Sequence, residues 1–120
     1  MRLALALFAG WLALAAQAAP PPARVQTEID ALLAALQASG CEFERNGRWH
    51  AGAEARTHLQ SKREYLEGRD AIRTAEDFIT LAASESSMSG RPYRVRCAGS
   101  APVDSRGWLQ QQLQGIRRNP

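Results

Sequence analysis

The sequence predicts an α+β domain: a small antiparallel sheet, built from a hairpin plus one later strand, covered by about four helices and stapled by one disulfide. Three observations predict it. Apolar residues recur at helical spacing in four separate segments, Asn46-Gly47 breaks a short β-prone run, and Tyr93, Val95 and Cys97 alternate with Arg94 and Arg96.

The first helix is expected from Val25, Ile29, Leu32, Leu33 and Leu36, with Thr27 and Asp30 placed like a capping box and Gly40 ending it in a left-handed turn. A hairpin follows, because Asn-Gly suits the positive backbone φ angles of a two-residue turn between residues 41–45 and 48–50. Residues 52–66 read as an amphipathic helix, with Ala55, Leu59 and Leu66 on one side and Gly68 as its stop. Thr74 with Asp77 opens a third helix through Phe78, Ile79, Leu81 and Ala82, which the polar stretch 84–90 interrupts. Residues 93–97 then form a strand with one buried and one solvated face. Trp108, Leu109, Leu113 and Ile116 mark a terminal helix starting near Asp104 or Ser105.

Met1-Arg2, the apolar run 3–16 and the A-x-A pattern of Ala16 and Ala18 predict a signal peptide over residues 1–18, cleaved after Ala18. The run is shorter than the roughly 20 residues of a spanning helix, so no stable membrane insertion is expected after cleavage. Residues 19–24, with Pro20 to Pro22, form a proline-rich leader, and residues 25–118 make a single domain. A periplasmic or secreted protein matures under oxidising conditions, so Cys41 and Cys97 are expected to pair; their separation excludes a C-x-x-C redox site. Of the 15 cationic residues, Lys62 is the lone lysine, and the basic side chains gather towards the end: six arginines against one aspartate over residues 91–120.

Arg45-Asn46-Gly47, Glu54-Ala55 with His58-Leu59 and Lys62, Thr74-Ala75-Glu76 with Phe78-Ile79, Ser86-Ser87, Ser89-Gly90, Pro92-Tyr93 and Trp108-Leu109 stand in an order that resembles the YfeK-like family of small periplasmic bacterial proteins, a domain of unknown function. The resemblance runs from Val25 to Arg117. It implies export and a compact domain, and implies no reaction.

Lys62 is the most informative residue, since it falls between Ala55, Leu59 and Leu66 inside an apolar stripe. Its amine either reaches solvent, is held by carbonyls or an acid, or is desolvated with a lowered pKa and able to act as a base. Ser84, Ser86, Ser87 or Ser89 could partner such a base in a small Ser-Lys hydrolase, although neither G-x-S-x-G nor S-x-x-K occurs and turn chemistry explains these serines equally well. His58 lies one turn before Lys62, and Glu54 one turn before His58. His50 and His58 lack metal-ligand spacing, so neither a metal nor a cofactor is implied. Arg45 at the turn and Trp49 on the return strand could form a recognition edge, with a turn plus a core aromatic as the plain alternative. Arg91, Arg94, Arg96, Arg106, Arg117 and Arg118 could face anionic envelope polymers. Nucleic acid is disfavoured by export, low net charge and the lack of a recognition motif.

The leading expectation is a non-enzymatic binding or interaction module for an envelope protein or polymer, with Arg45, Asn46, His58, Lys62, Ser84, Ser86, Ser87 and Tyr93 on one face. The alternatives are the Ser-Lys hydrolase and a purely structural polar cluster with no ligand site.

Overall fold

In the computed structural model, which describes Ala4, Ala6, Gly10 and residues 19–120, the hairpin is built as the Asn-Gly turn dictates: Asn46 (φ 51°) and Gly47 (φ 80°) both take left-handed backbone. The leader peptide expected over residues 1–18, with its cleavage after Ala18, lies outside the described residues apart from those three positions. The elements run α1 (Ala23–Ala38), β1 (Glu42–Arg45), β2 (Arg48–Ala51), α2 (Gly52–Glu67), α3 (Ala75–Ala82), β3 (Arg94–Arg96), β4 (Val103–Asp104) and α4 (Ser105–Arg118). The sheet is antiparallel with strand order β2-β1-β3-β4, so the fold is α+β with one strand more than expected. No helix among the described residues is long and apolar enough to cross a membrane.

Two expectations about the first helix are corrected. The helix starts at Ala23, because the Pro22 carbonyl accepts the N–H groups of Val25 (2.9 Å) and Gln26 (3.1 Å), so the proline leader runs directly into it. Thr27 is then a mid-helix residue, donating to the Ala23 carbonyl at 3.0 Å, and Asp30 holds Arg63 on α2 at 2.6 Å rather than closing a capping box. The box at α3 is present in full: Thr74 Oγ1 accepts from the Asp77 N–H at 3.1 Å, and Asp77 Oδ2 accepts from the Thr74 N–H at 3.2 Å.

Sheet register sorts the side chains by face. Phe43 lies opposite Val95 on the inner face, and both are buried against a core that includes Leu32, Leu36 and Leu59. On the outer face Glu44 pairs with Arg94 and Glu42 with Arg96, each at 2.9 Å, and Trp49 stacks beneath both arginines. Trp49 is therefore neither a core aromatic nor a partner of Arg45, which has the opposite parity on the pleat and points inward. Continuing the register brings Cys41 opposite Cys97, with Cα atoms 4.3 Å apart, and the disulfide closes the β1–β3 pair there. Three of the six arginines of the basic tail are paired within the fold: beyond Arg94 and Arg96 on the sheet, Arg117 bonds Glu28 at 2.7 Å and also pairs with Glu76, tying α4 to α1 and α3.

Candidate functional site

The site exists because α2 follows β2 without a linker. Ala51 ends the strand and caps the helix, so α2 is laid under the hairpin at a fixed angle, and His58 and Lys62, one turn apart, face the inner side of β1 and the chain returning to β3. That returning segment, residues 84–93, is a folded loop. Ser84 Oγ donates to the Ile79 carbonyl at 2.6 Å, and the Ser84 carbonyl accepts the Tyr93 N–H at 2.9 Å. The Ser86 N–H bonds the Arg91 carbonyl at 3.0 Å, and its own carbonyl accepts from Gly90 at 2.9 Å. Asn46 then fastens the hairpin tip to this loop, donating to Ser86 Oγ (3.3 Å) and accepting from Ser89 Oγ (2.7 Å).

A chain of four polar side chains lies between these elements. Arg45 Nη1 is 2.8 Å from His58 Nδ1, His58 Nε2 is 3.1 Å from Tyr93 Oη, and Lys62 Nζ is 3.2 Å from the same oxygen. Lys62 Nζ also donates to the Glu85 carbonyl at 3.1 Å. The Tyr93 ring is almost wholly buried (1 % exposed), packs 4.9 Å from the Phe43 ring, and has Lys62 Nζ 5.0 Å from its centroid. Burial, helped by the Arg45 and Lys62 charges, pushes the His58 pKa down to about 4. Burial also lowers the Lys62 pKa, opposed by the Glu85 carboxylate and assisted by Arg45, and it raises that of Tyr93.

Beside this chain a cavity of about 250 Å³ opens to solvent. His58, Ser61, Lys62 and Ser87 are its polar lining, and Tyr65, Leu66 and Leu81 its apolar lining. Tyr65 is 60 % exposed and Leu81 47 %, so two large apolar side chains border the opening. Leu81, one of the apolar residues that mark α3, is thus a groove residue.

The eight residues expected on one face divide by task. His58, Lys62 and Ser87 line the groove, Arg45 and Tyr93 stand behind them, and Asn46, Ser84 and Ser86 brace the loop. Ser86 Oγ, only 5 % exposed as a residue, accepts from Asn46 and from the Met88 and Ser89 N–H groups, each at 3.3 Å. Lys62 makes no hydrogen bond to a serine hydroxyl among the described residues; its partners are a phenol and a carbonyl. Sequence reasoning missed the groove walls and the Glu85 carbonyl, which has no side-chain signature. It also missed Arg63, buried to 6 % exposure next to Lys62 and held by Asp30 and Glu67.

No solved structure matches this chain. The uncharacterized protein YfeK of Salmonella typhimurium (strain LT2) is 43 % identical over 72 residues, which is 59 % of this chain and 58 % of that protein's length. A family of unknown function, DUF5329, matches residues 23–117, the span from the start of α1 to the last turn of α4 that contains the groove and its polar chain. On that match the chain belongs to the DUF5329 family of unknown function.

Proposed function

We propose that the chain is exported, loses residues 1–18, and acts in the periplasm as a non-enzymatic binding module that reads its ligand through the groove headed by Lys62. One observation carries the reading: exposed Tyr65 and Leu81 share the lining of one cavity with Leu66 and with the polar side chains of Lys62, His58, Ser61 and Ser87, a mostly apolar surface with a few polar groups. The Cys41–Cys97 disulfide is compatible with export. The partner in this reading is an envelope protein or polymer offering an apolar group beside a polar one.

The arrangement supports binding better than hydrolysis. A Ser-Lys nucleophile needs its amine on a serine hydroxyl, whereas Lys62 Nζ is engaged by Tyr93 and Glu85, and Ser86 Oγ is enclosed by three N–H donors.

The test replaces Leu81 or Tyr65 with a photoreactive benzophenone side chain in cells, with Gln114 on the exposed side of α4 as the control position. A discrete adduct from positions 81 and 65, absent from 114, is the expected result. Equal yields from all three positions, or turnover of an ester or peptide panel by the wild type, would overturn the reading.

A further inference from the structure

We infer that the groove takes the free carboxyl terminus of a peptide, with the carboxylate on Lys62 and the terminal apolar side chain against Leu66, Leu81 and Tyr65. The inference rests on the binding reading above and names the ligand of that same site.

The site is complete in hydrogen bonds and incomplete in charge. As an ammonium, Lys62 donates to Tyr93 Oη at 3.2 Å and to the Glu85 carbonyl at 3.1 Å, and the phenol is free to donate to His58 Nε2, 3.1 Å away. The third N–H of Lys62 has no partner among the described residues. Elsewhere the fold provides for the cations it takes out of water: Arg63 pairs with Asp30 and Glu67, Arg96 pairs with Glu42, and Arg56 is held by the Gln37 side-chain carbonyl at 2.8 Å. Lys62 and Arg45 are half-buried as well, yet neither forms an ion pair among the described residues. Both charges bear on His58, which is itself uncharged near neutral pH because its pKa is held at about 4. Two cations withdrawn from water without counter-charges make a place that an anion stabilises.

The surroundings specify which anion. Glu85 supplies the one carboxylate that bears on Lys62, it stands beyond ion-pair distance on an exposed residue, and the Arg69 guanidinium, 4.4 Å from the Tyr65 ring centroid, adds a further positive charge at the rim. The exposed Ser87 hydroxyl makes no hydrogen bond among the described residues, so the groove offers a charged donor and a neutral one to an acceptor with two oxygens. At about 250 Å³ the cavity is smaller than the roughly 300 Å³ at which sites for drug-sized ligands begin, so it houses one short apolar group and leaves a long acyl chain mostly outside. An apolar side chain and a carboxylate on the same carbon are what a chain's last residue presents. For the residues before it, Met88 follows Ser87 on the loop braced by Ser86 and Asn46 and is 96 % exposed, an apolar surface next to the opening.

The test titrates the oxidised protein with an acetylated Ala-Ala-Leu tripeptide, with the same peptide as its carboxyl-terminal amide, and with decanoate. The Leu81 amide reports occupancy, and ¹⁵N-lysine labelling gives one Nζ signal, because Lys62 is the lone lysine of the chain. The free acid is expected to bind about tenfold more tightly than the amide, the scale of one hydrogen bond to a charged group. It should also raise the Lys62 titration midpoint, since an opposite charge favours the ammonium, whereas the amide should leave the midpoint in place. Equal or tighter binding of the amide, or a midpoint that the acid does not move, would overturn the inference. Decanoate binding more tightly than the peptide acid would give the site to a free amphiphile and overturn the peptide as occupant.

Lys62→Met should abolish the preference for the acid, and a preference retained in that variant would contradict the role given to the amine. Should Lys62→Met unfold, added salt in the wild type replaces it: salt should weaken the acid and spare the amide, and an equal response of the two would overturn the inference. If none of the three probes binds while positions 65 and 81 still give their photo-adduct in cells, the carboxyl-terminal ligand is overturned and the binding module stands. Absence of both binding and adduct removes the two together.

Discussion

At the scale of residues, the fold places a histidine where protonation is costly, and this has a measurable sign. The His58 pKa falls from 6.5 to about 4, chiefly through burial and then through the Arg45 and Lys62 charges. Between those values the unfolded chain takes up a proton that the folded one refuses, so stability is fully present above pH 6.5 and declines as pH drops towards 4. Urea unfolding at a series of pH values checks this: wild type should weaken across that window, and His58→Gln should flatten the slope. A slope unchanged in the variant would mean that His58 is not the group responsible. Lys62 was legible from the sequence as a chemical oddity, because a lysine inside an apolar stripe is visible on a helical wheel. Its partners were not. Arg45 is inward by the parity of β1, Tyr93 is reached only through the return to β3, and Glu85 contributes a main-chain oxygen, so each depends on tertiary placement.

At the scale of elements, what was readable was local. The Asn46-Gly47 turn and the Thr74–Asp77 box depend on neighbouring residues alone, and both form as expected. Thr27 and Asp30 carry the same spacing yet lie mid-helix, because Pro22 lets the helix begin five residues earlier than that box would require. The two-residue strand β4 had no pattern to show; pairing with β3 creates it. At the junction of α1 and α2 the backbones approach closely: a Cβ at Gly52 would sit 2.9 Å from the Leu36 carbonyl oxygen and 3.0 Å from Gln37 Cα. Gly52→Ala should therefore lose about 1–3 kcal/mol in chemical denaturation. Gly115 in α4 has no neighbour within 4 Å of such a Cβ, and Gly115→Ala should gain about 0.5–1 kcal/mol. Equal effects at the two glycines would contradict the packing described.

At the scale of the whole molecule, the disulfide and the groove do separate work. Cys41 and Cys97 are 56 residues apart, and closing that loop restricts the unfolded chain by about 4 kcal/mol, a large share of what a domain of this size possesses. Paired Cys41→Ser and Cys97→Ser changes, or reduction of the wild type, should lower the unfolding free energy by about that amount; an unchanged denaturation midpoint would show that the link contributes nothing. The polar chain behind the groove poses the larger question, whether it serves ligand or fold. Lys62→Met answers it, since methionine refills the apolar stripe and, of the two groups that lose Lys62, the Glu85 carbonyl belongs to an exposed residue that water reaches while the Tyr93 hydroxyl keeps His58 Nε2. The yield of the photo-adduct from position 81, measured in Lys62→Met against wild type at equal protein level and with denaturation midpoints in hand, is the most direct trial of the binding reading. The account predicts an adduct lost from a molecule whose stability changes by less than about 1 kcal/mol; an adduct retained at full yield in a molecule several kcal/mol weaker would contradict it.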